Sequence, residues 1–166
     1  YLNKNNFKCP QPIIDKENKI INSIKNKKAV IVSFIKGKQI LNPNESDCYE
    51  VGNIIGKLHS ISKNFNKRRD NSLNVVELNK ILNKCLKVKN ESYDAIYNEL
   101  KNEIKIFEDY LPKNLPAGII HADLFKDNIF FNEGKISGVI DFYFSCYYFY
   151  IYDICIVVND WCFENN

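Results

Sequence analysis

Three side chains in this 166-residue chain stand where oxygen chemistry could be done: Asp123, Asn128 and Asp141. The first two lie in His121-Ala-Asp123-Leu-Phe-Lys-Asp-Asn128, and the third in Gly138-Val-Ile-Asp141-Phe142. Amide and carboxylate oxygens suit a hard cation such as Mg²⁺, which keeps waters and takes further oxygens from substrate phosphates. A second carboxylate beside that cation can accept a hydroxyl proton while the oxygen attacks phosphorus. His121 is better placed to brace the loop through its ring nitrogens than to react. In a chain of this composition, a His-x-Asp-x4-Asn match arises by chance roughly one or two times in a hundred. Its weight comes from context: a strand, a loop and a hairpin that delivers Ile-Asp-Phe.

These groups converge only if the surrounding elements fold in a particular way. Residues 117–121 read as a short apolar strand and 128–131 as a second. Residues 135–140 return from the turn Asn132-Glu133-Gly134, where Gly134 can take positive φ. Asp123 then sits on the loop after the first strand, and the hairpin brings Asp141 back beside it. Upstream, 20–25 and 29–35 read as a hairpin about the polar turn 26–28, before Gly37, Asn42 and Pro43 break the pattern. Asn44 or Ser46 can cap a helix with Val51, Ile54, Ile55, Leu58, Ile61 and Phe65 on one stripe. A basic loop, 66–74, separates it from a weaker helical pattern running from Val75 to Leu86. A stronger one covers 92–111, with Tyr93, Ile96, Leu100 and Phe107 in register, and ends at Pro112. Residues 153–163 read as a buried helix, and the aromatic run 142–152 as core packing. The order of hairpin, helices, short strands and helix makes an α+β architecture.

Composition narrows the function classes. Apolar residues make up 45% and charged residues 26%, enough to bury a core. The net charge of +3 divides into +11 over residues 1–90 and −8 over 91–166. With 21 lysines against 2 arginines and 24 asparagines, the basic excess reads as AT-rich codon usage, so no nucleic-acid partner is expected. The most apolar window, 139–158, contains Asp141 and Asp153, which rules out a lipid-facing helix. No secretory signal opens the chain. The cysteines at 9, 48, 85, 146, 155 and 162 form no CxxC pair and read as reduced thiols of a cytosolic protein, Cys155 and Cys162 sharing a buried face. His59 reads as a core or boundary histidine, and Lys67-Arg68-Arg69 as a solvated loop. The chain opens at Tyr1 and lacks methionine, so it reads as a fragment, a processed product or a truncated form.

HADLFKDN with GVIDF resembles the catalytic and metal-binding loops of the aminoglycoside-phosphotransferase-like kinases, relatives of protein kinases that phosphorylate small molecules. The stretch GKISGVIDFYFSCYYFYIYDICIVVNDWCFE is similar, more narrowly, to the homoserine kinase branch of that superfamily. AVIVSFIKGK resembles the hinge strand between the two lobes. The resemblance implies a protein-kinase-like fold, with residues 1–36 a remnant of the small lobe and hinge, and 37–166 the large lobe, incomplete at its C-terminus. It implies ATP and Mg²⁺, a cytoplasmic location, and a small hydroxyl acceptor: homoserine ahead of choline, aminoglycosides or methylthioribose. It implies Asp123 as catalytic base, Asn128 and Asp141 as Mg²⁺ ligands, and the backbone of Ser33, Phe34 and Ile35 facing adenine. His121 and Asp153 become structural supports. Asp-Phe-Tyr stands where protein kinases have Asp-Phe-Gly. Lys126 lies three residues after the base rather than two, so it is not given the loop-lysine role. No glycine-rich loop precedes residue 30 and no strand carries a phosphate-binding lysine. The stretch alone is therefore expected to be nearly inactive, or to be a non-catalytic binding module.

Overall fold

The computed structural model describes residues 1–85, 91–112 and 114–163. The chain forms two compact units, one of Tyr1–Arg69 with Ala117–Asn166 and one of Asp70–Pro116.

The first unit opens with the hairpin of β1 (Asn22–Ile24) and β2 (Lys27–Ala29), in which Ser23 pairs with Lys28. Its turn residues Lys25 and Asn26 are both left-handed, at φ 49° and 61°, the sense that matches strand twist. This hairpin is shorter than the expected one and turns earlier. The apolar residues that follow do not pair back onto 20–25. They lie against the N-terminal segment, where Pro12 bridges Val32, Ile13 N–H donates to Ile31 O at 2.8 Å, and Ser33 N–H donates to Gln11 O at 2.8 Å. An apolar run announces extended backbone, but register and partner are settled by tertiary packing. Lys38 and Phe131 then exchange two backbone hydrogen bonds of 2.8 Å. Gly37 permits this approach: its φ is +137°, and a Cβ there would sit 2.5 Å from Phe131 O.

Helix α1 (Glu45–Ser62) starts as the capping pattern requires. Asn44 Oδ1 accepts Asp47 N–H, and Asp47 Oδ2 accepts Asn44 N–H. Val51, Ile55 and Leu58 are buried on its inner stripe, while Phe65 falls beyond the helix and packs on the Tyr1 ring. Strand β3 (Ala117–Ile120) is followed by the hairpin of β4 (Ile129–Asn132) and β5 (Lys135–Val139), turning at Glu133 and Gly134. The aromatic run holds a strand the sequence did not signal, β6 (Cys146–Phe149), antiparallel to β3 with Ile119 opposite Tyr147. Helix α4 (Tyr150–Trp161) buries Asp153, Val157 and Trp161, a single stripe at i, i+4 and i+8. Ile151, Ile154 and Val158 are exposed, so the helix is not buried all round. Cys155 and Cys162 lie off that stripe and are exposed; the shared buried face expected for them does not exist. Phe7, Val51, Leu124, Ile129, Val139 and Trp161 belong to one core beneath these elements.

In the second unit, α2 (Val75–Cys85) packs on α3 (Glu91–Tyr110). Leu86 and the side chain of Tyr93 lie outside the described residues. Ile96, Leu100 and Phe107 keep helical spacing but are exposed. No helix among the described residues is long and apolar enough to cross a membrane.

Replacing Asn44 by Ala removes half of the capping box and should cost roughly 1 kcal/mol of stability. Urea unfolding should show this as a lower midpoint at unchanged slope; an unchanged midpoint would mean Asp47 suffices at this terminus.

Candidate active site

The chain leaves β3 over the first turn of α4, where Asp153 is fully buried. Its Oδ2 accepts His121 N–H at 3.0 Å and its Oδ1 accepts Ala122 N–H at 2.7 Å. His59 Nε2, from α1, completes the set at 2.8 Å from Oδ2, and the His59 ring stacks on Tyr150 at 4.4 Å. Three donors replace the water that a buried carboxylate gives up. They also hold Ala122 at φ 67°, a left-handed conformation that costs a residue with a Cβ on the order of 1–3 kcal/mol. Asp123 projects from that turn.

His121 is buried, and its Nε2–H donates to Ile140 O at 2.9 Å. Its Nδ1 has no partner among the described residues. Burial depresses its pKa below the usual 6.5, so the ring is the neutral Nε2–H tautomer. The ring lies 4.6 Å from that of Phe142, and so ties the Asp123 loop to the Asp141 loop.

Asn128 sits in a 3-10 turn, Lys126–Asn128. Its Nδ2 donates to Asp123 O at 2.8 Å and to Asp123 Oδ2 at 2.9 Å. Both partners only accept, which fixes the amide orientation and leaves Oδ1 as an acceptor. The Asn128 carbonyl takes Ile140 N–H at 2.9 Å, so the two loops share main-chain bonding as well. The last turn of α4 holds the middle of the loop. Asp160 Oδ2 accepts Lys126 N–H at 2.6 Å, and Trp161 Nε1–H donates to Leu124 O at 3.2 Å.

Burial pushes the Asp123 carboxyl up from 3.8; the Asn128 hydrogen bond opposes this, and the charges of Asp141 and Asp127 add to it. Asp141 is thus near enough to act on Asp123. Asp141 itself is exposed, at φ 58°, and its Oδ1 accepts Tyr143 N–H at 3.3 Å. Among the described residues no three His, Cys, Asp or Glu side chains form a metal cage. What is present is one amide oxygen and carboxylates, without sulfur or imidazole. That set fits a hard cation that keeps room for phosphate oxygens and water.

Ser33, Phe34 and Ile35 lie on a cleft with Lys8, Gln11 and Ser137. Ser33 is tied on both sides, since its Oγ also accepts Gln11 N–H at 2.9 Å. Phe34 is 87% exposed. Ile35 packs on Gly138, where any Cβ would run into its side chain, three residues before Asp141. The sequence reading brought Asp123, Asn128 and Asp141 together; it did not foresee the contributions of His59, Asp160 or Trp161, nor that of Arg69, whose Nε donates to Ser145 O at 3.0 Å and whose Nη2 donates to Tyr143 O in the segment after Asp141. A signal for two of them existed, because Asp160 and Trp161 follow Asp153 at i+7 and i+8, on one helix face.

A model of the phosphotransferase enzyme family matches residues 1–166. The homoserine kinase of Bartonella tribocorum is 36% identical over 164 residues, which is 99% of this chain and 51% of that protein. The homoserine kinase of Rhizobium meliloti is 34% identical over 166 residues, 100% of this chain and 51% of its own. The chain thus spans about half the length of the curated relatives it matches. Among solved structures, an aminoglycoside-3′-phosphotransferase of type VIII superposes with a TM-score of 0.71 at 14% identity, over 99% of this chain and 62% of that one. Amicoumacin kinase, in a complex with AMP-PNP and Ca²⁺, gives 0.70 at 17%, over 94% and 48%. The fold is therefore the protein-kinase-like α+β fold expected from the sequence.

Asp153→Ala should strand two backbone N–H groups and a buried histidine, and cost about 3–5 kcal/mol in chemical denaturation. His121 gives a separate pH signature. Its folded pKa is depressed, so the unfolded chain binds the proton first. Stability should hold above about pH 6.5 and fall as pH drops below it. His121→Asn should flatten that slope in denaturant titrations; an unaltered slope would assign it to other groups.

Proposed function

The chain belongs to the phosphotransferase enzyme family, and from that premise we propose that it serves ATP-dependent phosphoryl transfer to the hydroxyl of a small molecule, homoserine ahead of other alcohols. One observation carries the reading: a single amide, Asn128, holds both the backbone and the carboxylate of Asp123, beside an exposed Asp141. Homoserine is favoured because relatives of that name match 99–100% of this chain at 34–36% identity.

In this reading Asp123 Oδ orients the acceptor hydroxyl and takes its proton late. The hydroxyl oxygen forms the new bond to the γ-phosphorus as the bond to the β-phosphate oxygen breaks, and ADP leaves. Asn128 Oδ1 and the Asp141 carboxylate would hold Mg²⁺, and that ion would supply positive charge beside the transferring group. Phe34 and Ile35 turn backbone towards adenine, with Ser33 anchored by Gln11. His121 and Asp153 keep the loop in its strained turn. An ATP donor suits a cytoplasmic site.

The test is a coupled ADP-release assay on the full-length protein with homoserine, choline, methylthioribose and kanamycin. Asp123→Asn keeps the shape and removes the charge, so turnover should fall by roughly 10²- to 10⁴-fold with nucleotide affinity little changed. Asp141→Ala should abolish Mg²⁺-dependent nucleotide binding. The raised pKa of Asp123 should place the acid limb of kcat/KM above the ordinary carboxylate value of 3.8. Full turnover by Asp123→Asn would reject the base, and turnover of another alcohol in place of homoserine would reject that acceptor alone.

A further inference from the structure

Cys48 lies near the start of α1, and Cys162 follows directly on the last residue of α4. The fold brings these two places together. The Cys48 thiol donates to Trp161 O at 3.5 Å, across 113 positions of chain, and that carbonyl belongs to the residue before Cys162. In a trans peptide the carbonyl oxygen is about 2.8 Å from the next Cα. The Cys48 sulfur is therefore within about 6 Å of the Cys162 Cα, where rotation about the two Cα–Cβ bonds brings sulfur towards sulfur. Both side chains line one cleft of about 580 Å³, together with Lys126 and Trp161.

Both thiols are free, but their surroundings differ. Cys162 is exposed and Cys48 is half-buried. Burial does most to push the Cys48 pKa up; the neighbouring Cys162 thiol and Asp47 add to it, and Lys126 opposes. An oxidant meets the exposed sulfur first, and a shielded, protonated thiol beside it is placed to resolve the product. Cys155 makes the contrast, exposed on the same helix but away from the cleft. The position also bears on the candidate site. Asp160 and Trp161, just before Cys162, hold Lys126 N–H and Leu124 O of the loop that carries Asp123. A bridge from Cys162 to α1 ties that grip to a second helix.

We propose that Cys48 and Cys162 form a hydroperoxide-reactive dithiol that closes into a reversible disulfide between α1 and the end of α4. The Cys162 thiolate attacks one peroxide oxygen. An S–O bond forms as the O–O bond breaks, and the second oxygen leaves with the thiol's proton as water. The Cys48 sulfur then attacks the sulfenic sulfur of Cys162. The S–S bond forms as the S–O bond breaks, and the hydroxyl leaves with the Cys48 proton as a second water. Two thiols thus give two electrons to one hydrogen peroxide, and an external dithiol restores them by exchange. The chemistry belongs to the thiols alone and needs no nucleotide. Because the bridge closes a long loop, it also restricts the unfolded chain.

The experiment treats the full-length protein with hydrogen peroxide, blocks the remaining thiols, and maps linked peptides by mass spectrometry before and after dithiothreitol. Wild type should give a Cys48–Cys162 peptide that the reductant removes, and a higher urea midpoint when oxidised. Amide exchange at Lys126 should slow in the oxidised form. Cys48→Ser should lose the link and leave the Cys162 sulfenic acid open to capture by dimedone. Cys162→Ser should lose both the link and the adduct, and Cys155→Ser should keep the link. Wild-type protein in which Cys162 reaches the sulfinic acid without ever linking to Cys48 would overturn the proposal, as would linkage chiefly to another cysteine. Oxidation of Cys48 at an undiminished rate in Cys162→Ser would overturn the order of attack, and an unchanged Lys126 exchange rate would overturn the tie to the loop.

Discussion

A buried carboxylate with three donors organises the first unit. Asp153 draws its partners from α1 and from the two residues that follow β3, so segments separated by 94 and 32 positions must close together. Burying that charge without partners would cost several kcal/mol, and each donor alone would leave part of that cost standing. The arrangement is therefore close to all-or-none. If α1 shifts, His59 leaves; if the β3 exit relaxes, two backbone donors leave with it. Nothing apolar could replace Asp153, because two main-chain N–H groups would be left buried and unmatched.

Helix α4 spaces the loop as well as anchoring it. Asp153 in its first turn grips the backbone at 121 and 122, while Asp160 and Trp161 grip it at 126 and 124. Seven residues of helix separate the two grips, about 10 Å at 1.5 Å per residue. The loop between them carries Asp123, and its far end carries Asn128. Left-handed Ala122 and left-handed Asp141 are the strained points of this arrangement, and each lies beside a residue held from several sides. Strain of that kind persists only where the surroundings over-determine it.

Much of this frame was legible before any coordinates. Periodicity located the long helices among the described residues, one of the two caps it offered, Asn44 rather than Ser46, starts α1, and the Glu133-Gly134 turn closed the β4–β5 hairpin. The spacing of Asp123, Asn128 and Asp141, taken with the strand, loop and hairpin read around them, pointed to one loop mouth. Strand β6 escaped because an unbroken aromatic run has no period of two, and its place was decided by the open edge of β3. The early hairpin was drawn too long because the 30–35 segment pairs with 11–13, a choice that local pattern does not encode. His59, Asp160 and Arg69 escaped for a related reason. Asp160 and Arg69 bond backbone groups more than 30 positions away, and His59 a carboxylate 94 positions away. For His59 and Arg69 such contacts leave no motif in the chain; for Asp160 the trace is its place seven residues after Asp153 on the same helix.

Composition bias explains which signals survived. Where a position needs only a solvated cation, lysine serves, and 21 of the 23 basic residues are lysine. Where it needs only an apolar filler, isoleucine, phenylalanine and tyrosine exchange with little consequence for the fold. Neither class of position says much about function. The site is built from groups that do not exchange: a carboxylate accepting two backbone N–H groups, an amide donating twice to one residue, and a fork laid across two carbonyls. Glutamate in place of Asp153 would add a methylene to a fully buried site. Glutamine in place of Asn128 would overshoot a carbonyl and a carboxylate that are 2.8 and 2.9 Å away. Lysine in place of Arg69 could not span Tyr143 and Ser145 with a planar fork. In a chain this biased, the two arginines are the residue type used against the bias, and the fork of Arg69 lies on the segment that follows Asp141.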